Sequence, residues 1–335
     1  MLVSNSSPDA VSRAAIRLLM ERLPGASAVE GSADLDLSSR PEQPQLRSAQ
    51  IIEGSTLRAI KVPDVTRTMV SGFGAFLDGV QKVRMIGRHL NVPLVLGTAS
   101  AAVRVRVNRR LITWGGKPPR LEQKLYLPLK YLPLLTESGS SAPMQYGQFQ
   151  VVDTSTPDSS GEYPSEHPTT LLERAIRAVD RQRDALEDEL AEAWCAIGGA
   201  PVYIDGGISR SGRVASSASA IGVIKSHRTL YVEGDALKTV VGLAKGERSS
   251  VFLVSPRSRS EVMSWYLRLR DPAGHDVLWG LVRVEMSRCE NPTERANEIS
   301  RWVLAETSPL ALPDGRWDKM SYGIRDCEEF LRAIS

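Results

Sequence analysis

The stretch Pro201-Val202-Tyr203-Ile204-Asp205-Gly206-Gly207 joins a short apolar, β-prone run to a single carboxylate and two glycines. An aspartate at the end of a buried strand is held rigidly, and the glycines let a bulky anion approach the backbone. The same pattern occurs earlier as Ala75-Phe76-Leu77-Asp78-Gly79. Two such strand ends predict a split carboxylate site for a divalent metal. A hairpin turn is the alternative, because Asp-Gly after an apolar run is also a common turn signal.

The composition is that of an ordinary globular chain, with 335 residues of which 42% are hydrophobic and 24% are charged. The net charge of +3 permits nucleic-acid binding without requiring it. Three widely spaced cysteines and four scattered histidines argue against a zinc site and favour reduced thiols. The sequence has no evident signal peptide, and no apolar run approaches the ~18 residues needed to span a bilayer. We therefore expect a cytoplasmic protein that does not bind membranes.

Motifs of three common enzyme classes are incomplete. Gly115-Gly116-Lys117 is followed by Pro118, which offers no hydroxyl to magnesium in a nucleotide-binding loop. The run from Gly207 to Gly212 is one residue too long for the nucleophile elbow of serine hydrolases. Gly72-Phe73-Gly74 lacks the third glycine of a dinucleotide fingerprint. ATP hydrolysis, serine hydrolysis and nicotinamide chemistry are therefore unsupported.

The chain divides into a short N-terminal part and one main domain. Residues 1–65 are predicted to form a helix and a linker, and residues 66–335 the main domain, with a flexible insertion at 136–168 that is rich in Pro, Gly and Ser. The N-terminal helix, from Val11 to Leu23, is amphipathic. It either docks on a partner chain or packs onto its own domain.

The order of the predicted elements suits phosphodiester hydrolysis. An Asp-ending strand and several antiparallel strands precede a long charged helix over Thr169 to Ala196, and a second Asp-ending strand and a terminal acidic helix follow it. Carboxylates from such elements can hold Mg²⁺ or Mn²⁺, which prefer oxygen ligands. These ions activate water and stabilise a leaving oxygen.

Arginines alternate with valines from Ala102 to Val107, which places Arg104 and Arg106 on one strand face. That face is either a solvated outer surface or a set of phosphate contacts beside the site.

Arg257 and Arg259 fall on a loop, where they either contact phosphates or serve solubility. Arg283 and Glu285 lie two positions apart on one strand, which favours an internal ion pair.

Residues 70 to 330 resemble the NurA nuclease family. The resemblance is carried by five pieces in the same order: Phe76-Leu77-Asp78-Gly79, Ile204-Asp205-Gly206-Gly207, Gly222-Val223-Ile224-Lys225, Ser264-Trp265-Tyr266-Leu267-Arg268-Leu269 and Gly280-Leu281-Val282-Arg283-Val284-Glu285. It implies an α/β fold with a ribonuclease H-like mixed sheet flanked by helices. It also implies a homodimeric, Mn²⁺-dependent (or Mg²⁺-dependent) DNA nuclease. Such a nuclease works with a HerA-type hexameric ATPase in DNA end processing or anti-phage defence.

The family's functional residues are carried over by position. Asp78 matches the first strand carboxylate and Asp205 the second. Glu187 matches the helix carboxylate that precedes the second strand, with Glu189 as the fallback on another side of the helix. Lys225 matches the strand-end lysine, which would contact the scissile phosphate; a surface ammonium is the alternative.

The C-terminus departs from the family, which often ends with a Tyr-Pro element and a histidine on the last helix. This chain has Tyr322-Gly323-Ile324-Arg325-Asp326 instead. Asp326 is the expected fourth carboxylate and metal ligand, or else it caps or decorates the helix. Two alternatives to a DNA nuclease stay open: a non-catalytic subunit that grips DNA for the translocase, and an RNA-directed nuclease.

Overall fold

A large mixed sheet organises the part of the chain that the computed structural model describes, which comprises residues 8–28, 44–63, 70–135, 145–158, 160–255, 259–307 and 317–335. The helices in these ranges are α1 (Pro8–Arg22), α2 (Pro168–Ala196), α3 (Gly212–Ala215), α4 (Gly234–Val241), α5 (Pro292–Glu306) and α6 (Tyr322–Ile334). The strands are β1 (Ala26–Ala28), β2 (Gln45–Leu46), β3 (Gln50–Ile51), β4 (Ala59–Lys61), β5 (Ala75–His89), β6 (Val92–Val107), β7 (Arg110–Thr113), β8 (Arg120–Leu127), β9 (Gln145–Tyr146), β10 (Phe149–Asp153), β11 (Val202–Asp205), β12 (Ala220–Ile224), β13 (Thr229–Leu230), β14 (Glu247–Ser249), β15 (Phe252–Val254), β16 (Val262–Arg268) and β17 (Leu281–Met286).

The main path of the sheet has the order β3-β15-β16-β17-β12-β11-β5-β6-β8-β10-β9. At its centre β5, β11 and β12 are parallel, whereas β6 runs antiparallel between β5 and β8. Helices pack on both faces of the sheet. This arrangement confirms the predicted fold class, a mixed α/β sheet flanked by helices.

Strand β5 is longer than the sequence suggests. The pattern predicts a strand that ends at Asp78, but β5 continues to His89 and pairs with β6 along its whole length. Pairing with β11 stops at Leu77, which lies opposite Ile204. Asp78 therefore marks the point where β5 leaves its parallel neighbour, and it does not lie in a hairpin turn.

The two faces of the sheet are covered by different helices. On one face, Leu186 and Leu190 of α2 pack with Leu77 in a core that also takes in residues of α3 and α4. On the other face, Ile324 and Cys327 of α6 pack against Phe76, and α5 continues this layer. Successive residues of a strand point to opposite faces. The side chain of Asp78 therefore lies on the α6 face, as does that of Phe76.

Helix α1 packs on the sheet of its own chain. The apolar residues of its inner face are buried together with leucines of β6 and β8: Val11, Ala15, Leu19, Leu23, Leu94, Leu96, Leu125 and Leu127. The predicted insertion at 136–168 includes β9 and β10, and β10 pairs in parallel with β8. In the described ranges, no helix combines the length and the apolar character required to cross a bilayer.

Candidate metal centre

Three carboxylates from distant parts of the chain meet on the α6 face. Asp78 of β5, Asp205 of β11 and Glu328 of α6 each place one carboxylate oxygen within 4.8 Å of the other two. Asp78 and Glu328 are buried, at 5% and 8% exposure, and Asp205 is partly buried. The backbone alone brings the two aspartates together, because each follows a residue of the paired positions Leu77 and Ile204.

Glu328 reaches the cluster because α6 lies unusually close to the sheet. A Cβ atom on Gly323 would fall 2.3 Å from the ring of Phe76, so only glycine allows this approach. The Cys327 thiol lies 3.5 Å from the Phe76 carbonyl oxygen, to which it donates a hydrogen bond. Glu328 shares the buried stripe of the helix with Ile324 and Leu331.

One ammonium group is built into the cluster. Lys225, directly after β12, donates from Nζ to Asp205 Oδ2 at 2.8 Å. Burial pulls the pKa of Lys225 down, but the charges of Asp205 and Asp78 raise it above its ordinary value. Lys225 is therefore a fixed positive charge, and the surface-ammonium alternative does not describe it.

Asp78 is the carboxylate of the cluster whose negative charge is least favoured by its surroundings. Burial raises the pKa of Asp78 well above its usual range, and the charge of Asp205 raises it further. Asp78 Oδ1 accepts the Gly79 N–H at 2.8 Å. Its other oxygen, Oδ2, is buried without a hydrogen-bond partner among the residues that the structure describes. A buried carboxylate oxygen without a donor is costly.

The donor set fits a divalent metal ion. Three carboxylates and one ammonium leave the cluster two charges short of neutrality, which a divalent cation would supply. All three acidic groups offer oxygen, the ligand type that Mg²⁺ and Mn²⁺ prefer. An ion bound among them would also give the unpartnered Asp78 Oδ2 an electrostatic partner. The residues that would hold it are Asp78, Asp205 and Glu328.

A fourth carboxylate approaches from the α2 face. Glu187 is 5% exposed and lies on the buried stripe of α2. A Cβ atom on Gly79 would fall 2.4 Å from Glu187 Oε1, so the glycine after Asp78 makes room for this side chain. Glu187 is not one of the three clustered ligands, but its charge also raises the pKa of Asp78.

Two arginines hold Glu187. Arg210 Nη2 donates to Glu187 Oε2 at 3.1 Å, and Arg183 Nε lies 3.4 Å from Oε1. Burial raises the pKa of Glu187 to about 7 despite these two opposite charges. Arg210 also pairs with Asp184 and Asp188, so it fastens the loop after β11 to helix α2.

The other predicted site residues lie elsewhere. Asp326 is outside the cluster and pairs with Arg104, whose Nε lies 2.7 Å from Oδ1. Arg106 donates to both carboxylate oxygens of Glu306 at the end of α5, at 2.8 and 2.9 Å. Helices α5 and α6 pack on this strand face, and both arginines are partly buried in ion pairs with acids of these helices. Their contact with phosphates stays a prediction. This place fits the alternative in which Asp326 decorates the helix, here through its ion pair with Arg104.

The remaining charged residues of the sequence analysis have clear positions. Arg283 donates to Glu285 Oε1 at 2.6 Å, which confirms the predicted ion pair. Glu189, the fallback for Glu187, pairs with Arg120 at 2.9 Å on another side of α2. Arg259 is exposed, and Arg257 lies outside the described residues.

Glu328 is the group that the sequence analysis missed. Ile324, Cys327, Glu328 and Leu331 have the spacing of one helix face, and Glu328 is the acid among apolar residues. Asp326 lies off that face. Glu187 has the same signature between Leu186 and Leu190. An acidic residue within the apolar stripe of a helix is therefore the sequence signal that could have identified Glu328 as a site residue.

Among solved structures, the NurA nuclease from Sulfolobus solfataricus is similar to this chain. The superposition covers 85% of this chain and 81% of that chain, at 10% sequence identity and a TM-score of 0.44. No protein-family model matches the sequence, and no curated protein matches it either. The case for a function therefore rests on the geometry of the carboxylate cluster.

Proposed function

We propose that this chain is a divalent-metal-dependent nuclease that hydrolyses phosphodiester bonds of DNA. The observation that carries the proposal is the meeting of Asp78, Asp205 and Glu328, with a buried Asp78 oxygen that has no hydrogen-bond partner in the described ranges. Gathering two buried acids and one partly buried acid beside one lysine is costly without a cation. The cluster is hard to explain as a structural feature alone, and Mn²⁺ or Mg²⁺ accounts for it.

The chemistry that a divalent ion supplies in such a site is Lewis-acid activation of water and stabilisation of a leaving oxygen. Lys225 holds the Asp205 carboxylate in place by its hydrogen bond and presents a permanent positive charge to a phosphate oxygen. Glu187 lies beside the cluster with a pKa of about 7, which suits a group that takes up a proton near neutral pH. Each role uses a group whose position is fixed by the sheet or by a buried helix face.

Cleavage of linear DNA with and without Mn²⁺ tests the proposal, with wild type compared with Asp205→Ala and Glu328→Gln. We expect Mn²⁺-dependent cleavage by the wild type and at least a hundredfold loss in each variant. Asp326→Asn is the matched control, because Asp326 is a nearby acid on the same helix that pairs with Arg104. Full cleavage by Asp205→Ala would exclude this site. Preference for RNA in a competition assay would exclude DNA as the substrate.

We further propose the partners that the NurA resemblance implies, a HerA-type hexameric ATPase and a second copy of this chain. Co-purification with such an ATPase and light scattering of the isolated protein test these two points. If neither the isolated chain nor the complex cleaves DNA, the role of a non-catalytic subunit that grips DNA is favoured.

A further inference from the structure

A polar cleft lies on the sheet face opposite α6. It has a volume of about 780 Å³, and its lining includes Arg47, Ser209, Tyr231, Arg259, Arg283 and Glu285. Gly207 and Ile224 also line it. Gly207 follows Asp205 by two positions, and Ile224 immediately precedes Lys225. The cleft therefore adjoins the carboxylate cluster at the ends of β11 and β12, within the ~7 Å that two residues can span.

Arg283 forms the positively charged floor of the cleft. Its guanidinium lies 4.8 Å from the centre of the Tyr231 ring, and Nη1 donates to Ser264 Oγ and to Glu285 Oε1. Glu285 Oε2 accepts the Ile208 N–H at 2.9 Å. Within the described ranges the hydrogen bonds of Arg283 leave from Nη1 alone, so Nη2 and Nε have no partner among those residues.

Two further arginines add charge that the described part of the chain does not neutralise. Arg47 is exposed and donates to the amide oxygen of Gln45, and it has no acidic partner among the described residues. Arg259 is exposed and likewise has none there. Glu285 is the acid among the lining residues, and Arg283 already pairs with it. Among the described lining residues, two positive charges are thus not neutralised by an acid.

The size and charge of the cleft select its ligand. A cavity of this volume matches a site for a small molecule or a few linked groups, and it is too small to admit a DNA duplex. Arginines without acidic partners favour phosphate oxygens. An unpaired strand that enters here would lie next to the ends of β11 and β12, and the side chains of Asp205 and Lys225 lie on the other side of these strand ends.

We infer that this cleft binds the phosphates of an unpaired DNA strand and guides that strand to the carboxylate cluster. The inference rests on the proposed nuclease function. Arg47 and Arg259 contribute the strand contacts at the rim, and Arg283 contributes them at the floor. Because the cleft lies on the face opposite α6, the strand passes around the end of β11, where Gly206 and Gly207 leave the backbone without side chains.

The test is fluorescence polarisation with a labelled oligothymidylate in EDTA, so that binding is measured without cleavage. The variant is Arg47→Ala/Arg259→Ala, and the matched control is Arg13→Ala/Arg177→Ala, which removes two exposed arginines from other surfaces. We expect the variant to bind about tenfold more weakly than the control. Its slope of log K against log salt should be smaller by about 1.4, at about 0.7 per lost phosphate contact on a single strand.

Two results would overturn the inference. One is equal affinity of the variant and the control for the oligonucleotide. The other is displacement of the oligonucleotide by an equal concentration of thymidine monophosphate or inorganic phosphate, which would identify a small phosphate compound as the ligand. This assay measures binding in EDTA and does not depend on Mn²⁺-dependent cleavage. A result against strand binding in the cleft is therefore distinct from a result against the proposed nuclease activity.

Discussion

Asp78 and Asp205 lie side by side at the point where two parallel strands part, one step beyond the paired residues Leu77 and Ile204. Both carboxylates face the same side of the sheet, and Lys225 donates to Asp205. The pKa of Asp78 is raised, and its Oδ2 has no hydrogen-bond partner in the described part of the chain, so one lysine does not compensate the charges of Asp78, Asp205 and Glu328. The cluster therefore stores unfavourable energy that a bound cation would release.

The first prediction distinguishes Glu328 from Asp326 by their effect on metal binding. Thermal unfolding of the wild type should shift upward with Mn²⁺, since an ion at 100 times its Kd stabilises the folded state by about 2.7 kcal/mol. Glu328→Gln should lose most of this shift, because Glu328 is one of the three clustered carboxylates that could hold the ion. Asp326→Asn should keep it, even if the loss of the Arg104 pair lowers the metal-free Tm slightly. A shift that depends on Asp326 and not on Glu328 would contradict the structure.

The second prediction concerns Glu187. Its pKa rises from 4.5 to about 7 on folding, so the folded state loses stability relative to the unfolded state as pH rises from 4.5 to 7. Without metal, Glu187→Gln should therefore be more stable than the wild type at pH 8, by up to about 3 kcal/mol, and similar to it at pH 4.5. Urea unfolding in EDTA at both pH values measures this.

Glu189→Gln is the matched control on the same helix, because Glu189 is partly exposed and paired with Arg120. Its effect on stability should be small at both pH values. Equal pH dependence in Glu187→Gln and the wild type would refute the assignment of this energy to Glu187.

The third prediction concerns His227, whose Nε2 lies 2.6 Å from the Leu281 carbonyl oxygen. Burial lowers the pKa of His227 from 6.5 to about 4, with the hydrogen bond to Leu281 opposing this shift and the nearby charges of Lys319, Arg283 and Arg268 contributing to it. The unfolded state takes up a proton near pH 6.5 and the folded state only near pH 4. The contribution of neutral His227 to the free energy of unfolding is therefore fully present above pH 6.5. It is lost as pH falls from 6.5 to 4, by about 3 kcal/mol.

His227→Gln should flatten this part of the stability curve, as followed by urea unfolding from pH 4 to pH 7. His275 is exposed, so His275→Gln should leave the curve as it is in the wild type. A wild-type curve that is flat between pH 4 and pH 6.5 would show that His227 does not act in this way.

The fourth prediction concerns the close approach of α6 to β5. In Gly323→Ala the new methyl group would meet the buried ring of Phe76 at 2.3 Å, so the helix or the ring must move. Such overpacking costs about 1–3 kcal/mol. Because α6 carries Glu328, the variant should also bind Mn²⁺ more weakly in isothermal titration. Gly115→Ala has open space around it and should change neither property.

Much of the fold and part of the cluster could be predicted from the sequence. Strand-end aspartates followed by glycine mark Asp78 and Asp205 locally, and helical spacing places Glu187 on the inner face of α2. Each of these signals depends on a few neighbouring residues, so it can be recognised without knowledge of the tertiary structure. The fold class could be predicted for the same reason: the alternation of apolar and polar residues in strands and the periodicity of apolar residues in helices are local patterns.

The rest depends on which surfaces meet. Arg104 and Arg106 alternate with valines as residues of an exposed face do, but only tertiary structure shows that α5 and α6 cover them with Glu306 and Asp326. The segment at 136–168 has the composition of a loop, yet β10 finds a parallel partner in β8. Pairing between strands distant in sequence is not encoded in either strand alone.

The hydrogen bond from Cys327 to the Phe76 carbonyl oxygen joins positions 251 residues apart. During translation, Asp78 leaves the ribosome long before α6 exists, and domains assemble as their parts emerge. A nascent or prematurely terminated chain therefore lacks the third acid of the cluster, however well its sheet has formed. Under the nuclease function proposed above, the late arrival of α6 would keep incomplete chains inactive during synthesis.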